Sequence, residues 1–152
     1  MNKDITTIAD RLQKNINKIS SDFLKYSEEE LRKKPSTNKW SKKEILGHLI
    51  DSAANNHHRF IRSQFENEPF KVLPYEQEHW VRIHNYNELD SKFIVEMWKI
   101  YNLHLKNIIA NYPEDKLKMK CESTDKREIA ANLFLLIKDY VDHMDHHFKQ
   151  IF

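Results

Sequence analysis

The sequence predicts an all-α protein, an antiparallel four-helix bundle. Three observations carry this. Four long segments place their apolar residues at steps of three and four rather than two. All four prolines, Pro35, Pro69, Pro74 and Pro113, fall between those segments, where the chain must turn. Gly47 is the only glycine, so hairpin-rich β architectures and phosphate-cradling glycine loops both lack their raw material.

The first helix is predicted over residues 4–26, with Ile8, Leu12, Ile16, Ile19, Phe23 and Tyr26 along one side. The second, over 41–65, opens with Ser41-Lys42-Lys43-Glu44, a capping box in which the hydroxyl and the carboxylate satisfy free N–H groups of the first turn. Its apolar face is Leu46, Leu49, Ala53, Phe60 and Ile61. The connection from Glu66 to Glu88 carries two prolines, two tyrosines, Trp80, His79 and His84, and is long for a bundle loop, as segments that cover a site often are. The third helix, over 90–111, shows Phe93, Ile94, Met97, Trp98, Tyr101, Leu105, Ile108 and Ile109 as its stripe and stops before Pro113. The fourth, over 128–150, has Asp125 and Asn132 as possible caps.

The length of 152 residues fits one domain spanning 1–152. Lys and Arg number 25 against 23 Asp and Glu, a balance of +2, which lacks the basic footprint of a nucleic-acid binder. Cys121 is the only cysteine, which excludes an intramolecular disulfide and a CxxC motif and suits a reducing compartment. With no base beside it in sequence, Cys121 is not expected to be a nucleophile. The first residues carry no apolar signal core and no stretch has the length of a membrane span, so a cytoplasmic, membrane-free protein is expected.

Nine histidines are many for this length, and they cluster. At 100° per residue on the fourth helix, Leu133, Ile137, Tyr140, Met144, Phe148 and Ile151 define the buried face; His147 then falls about 40° from its centre and His143 about 80°. His146 points to the opposite side with Asp139, Asp142 and Lys149. His143 and His147 are therefore the candidates, two imidazoles stacked at i, i+4, the spacing by which a helix offers two nitrogens to one metal ion. Spacing alone is weak, since nine histidines scattered at random give about half of one such pair. Position strengthens it, because a donor or acceptor turned toward a core and left unpaired costs about 1–3 kcal/mol. On the second helix His48, Ser52, Asn55 and Arg59 form a polar stripe, readable either as solvated surface or as the wall of a polar pocket. His57 and His58 are expected on the surface.

Two stretches, Trp40-Ser-Lys-Lys-Glu-Ile-Leu-Gly-His48-Leu-Ile-Asp51 and Tyr140-Val-Asp-His143-Met-Asp-His-His147-Phe-Lys-Gln-Ile151, resemble the DinB-like superfamily of metal-binding four-helix bundles. Asp51-Ser52 through Arg59-Phe60, and Leu73-Pro74-Tyr75-Glu-Gln-Glu-His-Trp80, are most similar to its YfiT-like branch of metal-dependent hydrolases and bacillithiol-type thiol transferases. The resemblance adds His48 to the pair and implies a triad of His48, His143 and His147 on a divalent ion, zinc or nickel. Three neutral imidazoles leave such an ion its full charge and an open position, the pattern of a catalytic site. It further implies a small-molecule substrate, a low-molecular-weight thiol among them, and a homodimer, for which Phe65, Phe70 and Trp80 offer apolar surface.

For hydrolysis a general base is needed, and Asp51 and Glu44 stand one turn after and before His48. Asp51 reads equally well as a surface or supporting carboxylate. Arg59 is placed to meet an anionic group of a substrate. The competing expectation is a metal-stabilised bundle or ligand-binding module without turnover.

Overall fold

The computed structural model describes residues 2–152. Helix α1, Lys3–Asp22, is capped by the Asn2 side chain and runs on into a 3-10 turn, Phe23–Lys25. The short α2, Glu28–Arg32, has a capping box of Ser27 and Glu30. α3, Lys42–Arg62, starts on the predicted box, with Glu44 N donating to Ser41 Oγ at 3.1 Å and Ser41 N to a Glu44 carboxylate oxygen at 2.8 Å. Strand β1, Phe70–Val72, and helix α4, Gln77–His84, lie in the long connection. α5, Ser91–Ala110, is capped by Asp90; strand β2, Cys121–Ser123, precedes α6, Leu133–Ile151.

The four long helices share one core. Every residue assigned to the inner face of the last helix, from Leu133 through Ile151, is buried, as are Leu12, Ile16, Ile19, Leu46, Leu49, Phe60, Ile94, Trp98, Leu105 and Ile109. Ile61 and Phe93 depart from the pattern and are 40% and 55% exposed. Among the described residues no helix is long and apolar enough to cross a membrane.

Contacts along the helices fix their directions. α3 runs antiparallel to α6, with Lys42 reaching the Ile151 carbonyl, His48 beside His143 and Phe60 against Tyr140. α3 runs parallel to α5, since Lys43 reaches the Leu89 carbonyl at one end and Ser63 bonds Tyr112 at the other. α6 also runs parallel to α1, with Arg11 on Asp142 and Lys18 over the Phe152 ring. A parallel α3–α5 pair obliges the chain to travel back along the bundle, about 30 Å at 1.5 Å per residue, and this is the physical reason for the long connection.

Three departures from expectation have local causes. α6 starts at Leu133 rather than 128, because Cys121 N donates to Ala131 O at 3.1 Å and Lys120 bridges Asn132 antiparallel, closing residues 120–132 into a loop that ends where the Asn132 side chain caps the helix at Leu135 N. β1 pairs with β2 in parallel, Phe70 opposite Cys121 and Val72 opposite Ser123, tying the two long loops together. That pairing takes Phe70 into the core, and Trp80 is half-buried on α4, so of the three aromatics expected to form a dimer surface only Phe65, 71% exposed, is fully available.

Candidate metal centre

The antiparallel α3–α6 seam brings together three imidazoles. His48 sits in the first half of α3 and is fully buried; His143 and His147, one turn apart on α6, are half-buried. His143 Nε2 lies 3.1 Å from His48 Nε2 and 3.1 Å from His147 Nε2. One ring nitrogen from each of the three falls within 4.8 Å of the others. His146, as its helical angle predicts, is exposed and outside this group.

The donor set fits a divalent ion on geometry and on protonation. Two imidazole nitrogens bound to one first-row ion at about 2.1 Å stand roughly 3.0–3.4 Å apart between octahedral and tetrahedral angles, and the observed 3.1 Å falls in that span. Burial, then the neighbouring imidazoles, pushes His48 down to about 3 and His143 down to about 4; His147 is lowered for the same reasons, with the Gln150 hydrogen bond opposing. All three are therefore neutral, the form that ligates. His147 Nδ1 lies 2.9 Å from Gln150 Oε1, an acceptor only, so Nδ1 carries the proton and Nε2 presents its lone pair. Trp40, immediately before α3, lays its ring 4.8 Å from that of His48 and 6.4 Å from that of His147.

Two clefts reach the trio. The smaller, about 150 Å³, is lined by His143 together with Ser52, Asn56, Arg59, Tyr75 and Asp139. The polar stripe of the second helix is thus a pocket wall at Ser52 and Arg59, with buried Asn56 in the place expected for Asn55. Arg59 donates to the Leu73 carbonyl at 2.9 Å and weakly to Asn56 Oδ1 at 3.4 Å, while its buried Nε has no partner among the described residues. Among the described residues no carboxylate pairs with it, and burial lowers its pKa. Burial also pushes the Tyr75 hydroxyl up to about 12, keeping it a neutral donor. The other cleft, about 460 Å³, is lined by His147, Trp40, Glu78 and Gln150.

Neither carboxylate expected as general base bonds to the trio. Glu44 is held by the capping box and by Lys34 at 2.8 Å. Asp51 is buried on the next flank of α3, where Tyr86 Oη donates to its Oδ1 at 2.6 Å and His84 Nδ1 lies 2.9 Å from the same oxygen. The carboxylates that do share a cleft with a trio histidine are Asp139 and Glu78. By its helical angle Asp139 falls on the charged side of α6 and is exposed there, and its i, i+4 spacing to His143 is the sequence signal that links it to the cleft. Gln150, at i+3 from His147, was missed as well. His57, expected outside, is half-buried against Tyr101 and His104.

No family model and no curated protein matches the sequence. Among solved structures the chain is similar to YfiT from Bacillus subtilis, described as a probable metal-dependent hydrolase with an unusual four-helix bundle topology. The likeness has a TM-score of 0.87 and 20% identity, and covers 99% of this chain and 86% of that one. On that likeness, the fold of this chain is the YfiT-like four-helix bundle.

Proposed function

We propose that this chain is a metal-dependent enzyme acting on a small molecule, with His48, His143 and His147 holding one divalent ion, zinc or nickel, and hydrolysis as its reaction class. The observation that carries the reading is the convergence of three neutral imidazole nitrogens, 3.1 Å apart in two pairs, beside two open clefts. The description of the structurally similar YfiT as a probable metal-dependent hydrolase agrees with it.

A divalent ion there supplies Lewis acidity, which polarises a substrate oxygen or activates a nucleophile for attack at neutral pH. The chain's own residues do the rest. Arg59, with no acidic partner and an unpaired Nε, holds an anionic group of the substrate. Ser52 and neutral Tyr75 orient polar groups beside it. Asp139 is the proposed proton acceptor: it shares the small cleft with His143, and partial burial and the nearby Asp142 push its carboxyl upward. Asp51 serves the α3–α4 seam through Tyr86 and His84 rather than acting as the base. Tyr75 and Gln77 at the smaller cleft and Glu78 at the other belong to the long connection, which therefore supplies walls of the site.

Thiol S-transfer is the second reaction the same centre supports, because a site of three neutral ligands accepts a thiolate as readily as an oxygen nucleophile. The test is to assay zinc- and nickel-loaded protein against ester and amide panels, and separately against a low-molecular-weight thiol with an electrophile. Hydrolysis that Arg59→Ala and Asp139→Asn each reduce at least about tenfold supports the reading. No turnover in any arm by fully loaded protein favours the non-catalytic module. As a further proposal, two copies associate through exposed Phe65 and Leu73; sedimentation giving only the 18.4 kDa species counts against it. A cytoplasmic setting is proposed on the buried, unpaired Cys121 thiol.

A further inference from the structure

A third cleft, about 770 Å³, opens between α3, α4 and α5 and shares no lining residue with the two clefts that touch His143 and His147. Its walls are apolar and aromatic, chiefly Ile50, Ala54, Trp80, Phe93, Met97 and Tyr101. Phe93 and Ile100 at the rim are 55% and 63% exposed. Asp51 lines the same cleft, although its residue is only 1% exposed. Both of its local partners, Tyr86 Oη and His84 Nδ1, meet Oδ1, and among the described residues the buried Oδ2 has no hydrogen-bond partner.

A buried carboxylate oxygen without a donor is costly, and native structures rarely leave one without a purpose. The chemistry around it selects what would satisfy it. Among the described residues no lysine or arginine lines the cleft; apart from its tyrosines, its titratable side chains are Asp51, whose carboxyl burial pushes up against the pull of Tyr86 and His84, then His84 itself, His104 and, at the rim, Glu96. Its aromatic rings present negative π faces, which attract cations. An anion would meet the acidic side chains of Asp51 and Glu96 with no lysine or arginine to offset them, and a neutral apolar body would leave Oδ2 unpaired.

We infer that this cleft is a binding site for an organic cation, a primary ammonium group on an apolar body, with the ammonium on Asp51 Oδ2 and the body against the aromatic walls. The inference is independent of the metal reading, since the cleft contains none of the three histidines. A charge-assisted hydrogen bond to the ammonium supplies the donor that Tyr86 and His84 do not.

The test is calorimetric titration of the full chain with 2-phenylethylammonium chloride, 2-phenylethanol and 3-phenylpropionate, which share a ring and differ in head-group charge, with and without EDTA. The ammonium should bind at least about tenfold more tightly than the alcohol, and the carboxylate more weakly than either, with no effect of EDTA. Asp51→Asn should erase the preference for the ammonium over the alcohol. Ile100→Lys, at the exposed rim, should weaken ammonium binding several-fold and leave the alcohol unaffected. Equal affinity for ammonium and alcohol, or no ammonium binding up to about 10 mM, overturns the proposal. If circular dichroism shows that Asp51→Asn fails to fold, Ile100→Lys decides alone: an undiminished preference overturns it. A dimer that Ile100→Lys dissociates and the ammonium does not would assign the cleft to self-association, which also overturns it.

Discussion

Gln150 Oε1 lies 2.9 Å from His147 Nδ1, and this contact decides which nitrogen of His147 faces His143. The amide oxygen only accepts, so the proton is fixed on Nδ1 and the lone pair on Nε2. Gln150→Ala should weaken metal affinity by about 10–100-fold while leaving helix content unchanged, as loss of a partner behind a metal-ligating histidine typically does. Gln150→Glu, which keeps the acceptor, should retain most of it. Competition against a chromophoric chelator measures both, and equal affinity in wild type and Gln150→Ala would show that the contact has no such role.

Gly47, next to His48, has a packing reason to be glycine. A β-carbon placed there would fall 2.0 Å from Tyr86 Cδ2, inside the ring that crosses α3. Gly47→Ala should therefore displace Tyr86, break its 2.6 Å hydrogen bond to Asp51 and cost about 1–3 kcal/mol by overpacking, despite alanine's better helix propensity. Urea denaturation reads the stability; a stabilised variant would mean that the Tyr86 ring moves aside freely.

Much of this was legible in the sequence because the signals are local. The Ser41–Glu44 box and the stripe from Leu133 to Ile151 need only neighbours three and four residues away, and both are realised. The histidine pair on α6 follows from the same periodicity, whereas His48 came from resemblance. What was not legible depends on partners distant in sequence. The start of α6 is set by Lys120 and Cys121, β1 exists only through its pairing with β2, and helix directions follow from where the 66–88 connection delivers α5. Asp51 could not be placed by its angle on α3, because Tyr86 and His84, which hold it, belong to that connection.

Lys43 is fully buried and ties three segments together, with Nζ 3.1 Å from Glu28 Oε2 and 3.2 Å from the Asn87 carbonyl, and bonded to the Leu89 carbonyl. Lys43→Ala leaves two loop carbonyls without their donor and should cost about 1–3 kcal/mol. Glu28, more than half exposed, regains water and adds little to that cost. Thermal unfolding checks the loss; an unchanged midpoint would mean that water replaces the ammonium.

The metal-free protein should weaken in acid. Burial and mutual repulsion hold His48 near 3 and His143 near 4 in the fold, against 6.5 for the ordinary side chain. Below about pH 6.5 the unfolded chain takes up protons that the fold refuses, so this contribution is complete above 6.5 and is lost progressively as pH falls toward 4 and then 3. The urea midpoint should be lower at about pH 5 than at about pH 7.5, and His48→Gln should flatten that dependence. A wild-type slope identical to that of His48→Gln would remove His48 as its source.

The central claim, one divalent ion on three histidines, is tested most directly by elemental analysis of the wild type and four single variants after identical zinc loading and desalting. The account predicts about one ion per chain in the wild type and in His146→Ala, and loss of most of it in His48→Ala, His143→Ala and His147→Ala. Stoichiometry unchanged in those three variants would contradict it.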